Sequence, residues 1–224
     1  MELWIEGTID QVIRVANEGL ADAIATNPTI IAQWTAGGRS LESVVTQVCE
    51  SVTVPVFVQL HGGSVDAYLR EMDSLRAISP QIHPKLVATP DGLAAAKRLA
   101  SDDLKPLITT IATLNQAFLA ARANAAYVAP YIGRIVDAGV DAYELVHDIT
   151  TMYQQHSVKT QIAAASIRSR EQAENVLRAG APILVMQHDV FITLTDSPLT
   201  QNWIERFEEN WRQIPHTLGK SAAD

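Results

Sequence analysis

The chain has 224 residues, of which 47% are apolar and 19% charged, enough to bury a large core and too little charge for a disordered chain. With 17 Lys plus Arg against 25 Asp plus Glu, the formal charge is −8 and no Lys/Arg run exceeds two, which excludes a nucleic-acid backbone or an anionic lipid surface as the main partner. The one cysteine, Cys49, cannot close an internal disulfide, the opening MELWIEGTID lacks a leader pattern, and no stretch reaches the ~18 apolar residues of a membrane span, so the expectation is one soluble cytoplasmic domain over residues 1–224.

Taken in chain order, short apolar runs rich in Val, Ile, Leu and Ala predict strands at 2–6, 23–26, 55–60, 82–88, 106–111, 127–131, 160–166 and 182–187. Segments of helical period lie between them. Thr8 with Gln11 and Ser169 with Gln172 read as capping boxes, and Asn27 before Pro28 reads as an N-cap with proline at the first helical position. Gly37-Gly38, Gly62-Gly63 and Gly180 mark loops or helix ends. Strands that are apolar without alternation are buried on both faces, as in a parallel sheet covered by helices. Eight such units predict an α/β fold, a (β/α)₈ TIM barrel. A doubly wound open sheet fits less well, because it usually has fewer strands and no G-x-G-x-x-G follows the first one. An extra C-terminal helix at about 199–214 sets Trp203, Phe207 and Trp211 on one stripe, which packs either on its own barrel or on a neighbouring subunit. The tail after about Gly219 is expected to be disordered.

In such a barrel the chemistry lies at the C-terminal ends of the strands. The polar residues there are Glu6, Thr26, Asn27, Gln59, His61, Lys85, Thr109, Thr110, Tyr131, Ser166, Arg168, Gln187 and His188. For Thr26, Asn27 or Thr109 taken alone, helix capping is the plainer role. Lys85 differs from the other four lysines, which lie on a helix, in a loop, at a strand start and in the tail. Set among apolar neighbours in IHPKLVA, its ammonium must be paired, reach solvent through the barrel mouth, or lose its proton. Residues alone leave two readings: a Schiff-base nucleophile, or a buried ion pair with Glu6. His61, His83, His147, His156 and His188 show no metal-ligand spacing, so no metal and no cofactor are expected. His188 reads as a capping residue rather than a ligand.

MELWIEG at the start, TNPTII at 26–31, FVQL at 57–60, PKLVATPDGLAAAKRL at 84–99, YVAPYIGRI at 127–135 and AAASIRS at 163–169 together resemble the small fructose-6-phosphate aldolases of the transaldolase superfamily, over nearly the whole chain. The resemblance implies a barrel whose fourth strand carries the Schiff-base lysine, and Lys85 falls on that position. It implies that Gln59, Thr109 and Tyr131 hold a catalytic water and transfer protons. It places Thr26, Asn27 and Ser166 at the substrate, and Arg134 at its phosphate with Arg168 as a second cation; a surface salt bridge is the competing reading of Arg168. The family's first strand ends in aspartate followed by a hydroxyl residue, whereas here Glu6 is followed by Gly7 and Thr8, and ITTIAT at 108–113 also departs from the family pattern. Substrate choice is therefore open to change.

The activity so implied is class I aldol cleavage or formation of fructose 6-phosphate or a related ketose, from dihydroxyacetone-type donors and aldehydes such as glyceraldehyde 3-phosphate. Tyr131 and Gln59 are the aldolase-side residues where transferases have phenylalanine and glutamate, which ranks aldolase above transaldolase. A third reading is a sugar-phosphate-binding barrel in which Glu6 has disabled the chemistry. The expected partner is a small sugar or sugar phosphate, with neither nucleic acid nor membrane. The resemblance also implies a homo-oligomer, a pentamer or a decamer of two stacked rings, built by the last helix.

Overall fold

Eight parallel strands close in sequence order into a barrel, the last hydrogen-bonded back to the first. They are β1 (Glu2–Glu6), β2 (Ala23–Ala25), β3 (Val56–Gln59), β4 (Ile82–Val87), β5 (Leu107–Ile111), β6 (Tyr127–Pro130), β7 (Gln161–Ile167) and β8 (Ile183–Gln187) in the computed structural model, which describes residues 1–101 and 103–214. The (β/α)₈ expectation holds, with no strand end displaced by more than one residue. Helices fill the intervals: α1 (Ile9–Asn17), α2 (Pro28–Trp34), α3 (Leu41–Ser51), α4 (Val65–Ile78), α5 (Pro90–Leu99), α6 (Leu114–Arg122), α7 (Ile132–Asp137), α8 (Ala142–Gln155), α9 (Arg170–Arg178) and α10 (His188–Phe191). The barrel unit runs from Met1 to Phe191, and a second unit begins at Ile192.

Local chemistry starts the helices where expected, with one exception. Thr8 and Gln11 exchange both bonds of a capping box, at 3.3 and 3.0 Å. Asn27 Oδ1 accepts from the N–H groups of Thr29 and Ile30, each at 3.0 Å, above Pro28. At α9 the Ser169 hydroxyl accepts from Gln172 N–H at 3.1 Å, but the box is not closed. Gln172 Oε1 instead takes the N–H of Arg168 at 2.9 Å, because that amide lies just past the end of β7. An unforeseen box, Thr113 with Gln116, starts α6.

Inside the barrel, large and small side chains interlock. Ala23, Ala25, Ala129, Ala163 and Ala165 leave room for Trp4 and Phe57, which are 1% exposed. The Trp4 and Phe57 rings stack with centroids 4.3 Å apart, and Tyr127 meets both edge-on at 4.8 and 5.5 Å. These three rings plug the barrel below its C-terminal mouth. Two strands break register near that mouth: β5 between Ile108 and Ile111, and β7 between Ala164 and Ile167. Each break holds a non-glycine residue with left-handed backbone, Thr110 at φ 62° and Ser166 at φ 58°.

The second unit contains α11 (Pro198–Gln213), capped by the Ser197 hydroxyl on Thr200 N–H at 3.3 Å. Its Trp203, Phe207 and Trp211 are 54%, 61% and 57% exposed. The predicted disordered tail lies outside the described residues. Among the described residues, no helix is long and apolar enough to cross a membrane.

Candidate active site

Lys85 sits in the middle of β4, 1% exposed. Its Nζ donates to the Thr26 carbonyl at 2.8 Å and lies 3.5 Å from Glu6 Oε1. Both readings of the lysine are therefore geometrically present: it is paired with Glu6, and its amine sits at the mouth end of the barrel. The side chain leans away from its own strand, across the interior, toward β1 and the end of β2.

The neighbouring strands bring polar groups to the same level. Gln59 stands in register with Lys85, and Thr109 with Val87 on the other flank. Gln59 Oε1 and Thr109 Oγ1 are buried, and neither has a hydrogen-bond partner among the described residues. A buried polar atom left unpaired costs about 1–3 kcal/mol, so two of them on the strands flanking Lys85 mark a place built for something other than packing. Thr109 is thus no helix cap. Thr26 is not a cap either: its hydroxyl donates to the Phe57 carbonyl at 3.1 Å and accepts from Gln59 N–H at 3.0 Å, which ties the end of β2 to β3. What Thr26 offers the lysine is its carbonyl. Asn27 is a cap, as its residue type indicates, and its Oδ1 is occupied by that role.

Tyr131, predicted as the last residue of a strand, lies one residue beyond β6 and is the N-cap residue of α7, bridged to Ala165 on β7. The turn into α7 sets it at the rim, and the Arg134 guanidinium lies over its ring, 5.5 Å from the centroid. Arg134 is exposed and has no carboxylate partner among the described residues. Gly133 explains why Arg134 and the end of β7 lie together. A side chain there would come within 2.6 Å of the Ser166 carbonyl and 2.7 Å of Arg168 Nε, so only glycine lets α7 press onto the β7 bulge. Arg168 itself is paired to Asp137 Oδ2 at 2.5 Å, with both side chains at least half exposed.

Glu6 ends β1 at 6% exposure. The following Gly7 is drawn outward, its carbonyl accepting from Trp34 Nε1 at 2.8 Å. His188, read from sequence as a cap, is instead the first residue of α10, and its ring is buried behind β8 with Nε2 2.6 Å from Arg14. Since arginine only donates, Nε2 accepts and the proton resides on Nδ1, which lies 3.8 Å from Asp189 Oδ1 and has no hydrogen-bond partner among the described residues. Missed from sequence were the two left-handed bulge residues and the contact between Arg14 and His188. Among the described residues, no three His, Cys, Asp or Glu side chains are grouped to hold a metal ion.

The family model described as Transaldolase/Fructose-6-phosphate aldolase matches residues 5–223. A relative from Caulobacter vibrioides named "Probable transaldolase" is 34% identical over 219 residues, covering 97% of this chain and 100% of its own. A protein of the same name from Streptococcus pyogenes serotype M2 is 34% identical over 212 residues, covering 94% and 98%.

Proposed function

The chain belongs to the Transaldolase/Fructose-6-phosphate aldolase family, and from that premise we propose that it is a class I aldolase acting on fructose 6-phosphate or a related ketose through a Schiff base on Lys85. The single observation that carries this reading is the pairing of a buried, mouth-facing lysine with two unpartnered polar atoms, Gln59 Oε1 and Thr109 Oγ1. Lys85 Nζ adds to the ketone carbonyl, and the carbinolamine expels water to give an iminium. The carbon–carbon bond next to it breaks, its electron pair moves into the iminium to form an enamine, and the proton leaves the far hydroxyl for Tyr131, directly or through water. The aldehyde departs. The enamine then takes a proton at carbon, and water held by Gln59 and Thr109 hydrolyses the iminium, freeing dihydroxyacetone and the lysine. Glu6 is the group within reach to take or return an Nζ proton, at 3.5 Å. Arg134, with no carboxylate of its own, is the primary phosphate ligand; Ser166 and Arg168 border it, and Thr26 and Asn27 shape the donor end.

A second reading, transfer of the three-carbon unit to an acceptor sugar phosphate, is favoured by the name of the relatives, "Probable transaldolase". Incubation with fructose 6-phosphate alone separates the two. An aldolase releases dihydroxyacetone and glyceraldehyde 3-phosphate in equal amounts, whereas a transferase releases aldehyde only when a four-carbon aldose phosphate is added. Borohydride reduction with dihydroxyacetone, followed by mass spectrometry, tests the shared step: an adduct on Lys85 supports both, and its absence with several small ketones leaves a sugar-phosphate-binding barrel. The half-exposed aromatic stripe of α11 supports assembly into a homo-oligomer, pentamer or decamer, of a cytoplasmic enzyme. Light scattering of a chain ending before residue 199 tests it, smaller assemblies being the expected result and an unchanged mass the contrary one.

A further inference from the structure

We propose that Gln187 selects the donor: its side-chain amide hydrogen-bonds the C1 hydroxyl of the ketone, beside Glu6. The proposal deepens the aldolase reading and rests on it.

Three observations converge on this residue. Gln187 ends β8 directly in register with Glu6 on β1, and neighbouring strands run ~4.8 Å apart. Ile183 and Val185 belong to the cluster that fills the barrel interior, so the alternation of a strand turns Gln187 inward, as it turns Glu6 inward two residues after Trp4. His188 confirms the phase from the other side, since its ring lies behind β8 on Arg14 of α1. Gln187 is also the one exposed residue of an otherwise buried strand, and among the described residues its amide has no hydrogen-bond partner. An inward-facing side chain that is exposed opens onto the mouth of the barrel.

Lys85 brings the reacting carbon to this wall. In a ring of eight strands β4 stands opposite β8, yet Nζ reaches across to Thr26 and Glu6. The carbon bonded to Nζ therefore lies beside the ends of β1 and β2, one strand away from Gln187 with Glu6 between them. A carboxylate such as Glu6 only accepts hydrogen bonds, whereas a glutamine amide both donates and accepts and so can meet a hydroxyl in either orientation. Being neutral, it does so without altering the charge balance of the Lys85–Glu6 pair.

The test compares dihydroxyacetone with hydroxyacetone, which carries hydrogen in place of the C1 hydroxyl. In Gln187→Met, of similar length and volume, kcat/KM for dihydroxyacetone should fall about tenfold or more while that for hydroxyacetone changes less than about threefold. Equal losses for both donors, or no loss for either, would overturn the proposal. Borohydride trapping on the unsubstituted protein separates the two levels. No Lys85 adduct with either ketone removes the aldolase reading and this proposal with it; adducts with both, alongside an unshifted donor ratio, remove the Gln187 role alone. A thermal melt within about two degrees of the parent excludes loss of fold as the cause.

Discussion

The two ends of the barrel hold polar groups on opposite terms. Where the strands begin, a cavity of ≈ 1180 Å³ opens between α6 and α8 among Lys105, Arg122, His156 and Lys159, all of them exposed to solvent. Where the strands end, the polar groups are withdrawn from water: Lys85 is 1% exposed, Glu6 6% and Thr109 0%. All three buried side-chain atoms without a hydrogen-bond partner among the described residues, Gln59 Oε1, Thr109 Oγ1 and His188 Nδ1, lie at this second end. The roomy end is ordinary hydrated surface, and the tight one carries an energetic cost that stability does not explain. The candidate site is marked here by uncompensated polarity and not by volume.

The largest expected effect tests that contrast at its centre. Lys85→Met should lower fructose 6-phosphate cleavage by about 10⁴-fold or more and abolish the borohydride adduct, read by aldehyde release and by mass spectrometry. It also strands Glu6 in the interior, so urea denaturation should show a loss of about 3–5 kcal/mol, much of it recovered by adding Glu6→Gln. Cleavage retained by the variant would break the comparison outright. Between the two ends, Trp4→Ala should cost about 3–5 kcal/mol of stability by opening the ring stack, yet the folded protein should still form the Lys85 adduct. An adduct lost with the fold intact would show that the ends are not independent.

The N-terminal half of the barrel has its own signature in pH. Burial, aided by the charges of Arg76 and Lys105, pushes the His83 imidazole down to about 4, and its Nδ1 accepts the Lys105 N–H at 3.3 Å. The folded state thus favours neutral histidine. Its contribution, on the order of 3 kcal/mol, is complete above the ordinary value of about 6.5 and is lost as pH falls toward 4. Thermal melts of the parent should decline across that window, and those of His83→Asn should decline less; parallel curves would contradict the assignment. At the mouth, Glu6→Asp withdraws the carboxylate by ~1.5 Å and should cost about 10²-fold for the donors it contacts, with a changed ranking of dihydroxyacetone, hydroxyacetone and glycolaldehyde. A uniform drop would mean that the outward-drawn Gly7 already places the carboxylate where an aspartate would sit. The smallest effect is expected for Arg134→Ala, about tenfold and confined to phosphorylated acceptors. Equal weakening of glyceraldehyde and its 3-phosphate would refute the phosphate role.

Much of this organisation is legible in the sequence because it follows from short-range rules. Apolar runs place the strands, Thr8 and Asn27 start helices through their own side chains, and Lys85 stands out as the one lysine in the middle of a buried strand. The rest depends on barrel closure. Thr110 and Ser166 are neither glycine nor asparagine, so nothing local announces their left-handed backbone; each arises where a strand must absorb a register shift against its neighbour. The Thr26 hydroxyl reads as a cap or ligand until β3 is laid beside it, and Gln187 acquires meaning only once β8 is closed onto β1.

The stack of Trp4, Phe57 and Tyr127 has a kinetic consequence. It makes the barrel a blind well, so everything that meets Lys85 enters and leaves by one opening. Under the Schiff-base mechanism proposed above, the aldehyde, which is never bonded to the protein, must diffuse out past the rim while the three-carbon fragment is still tethered to Lys85. Release is then ordered, aldehyde first and ketone last. Added aldehyde competes for the same passage and recaptures the tethered fragment, whereas added ketone competes only with the incoming sugar for the free lysine.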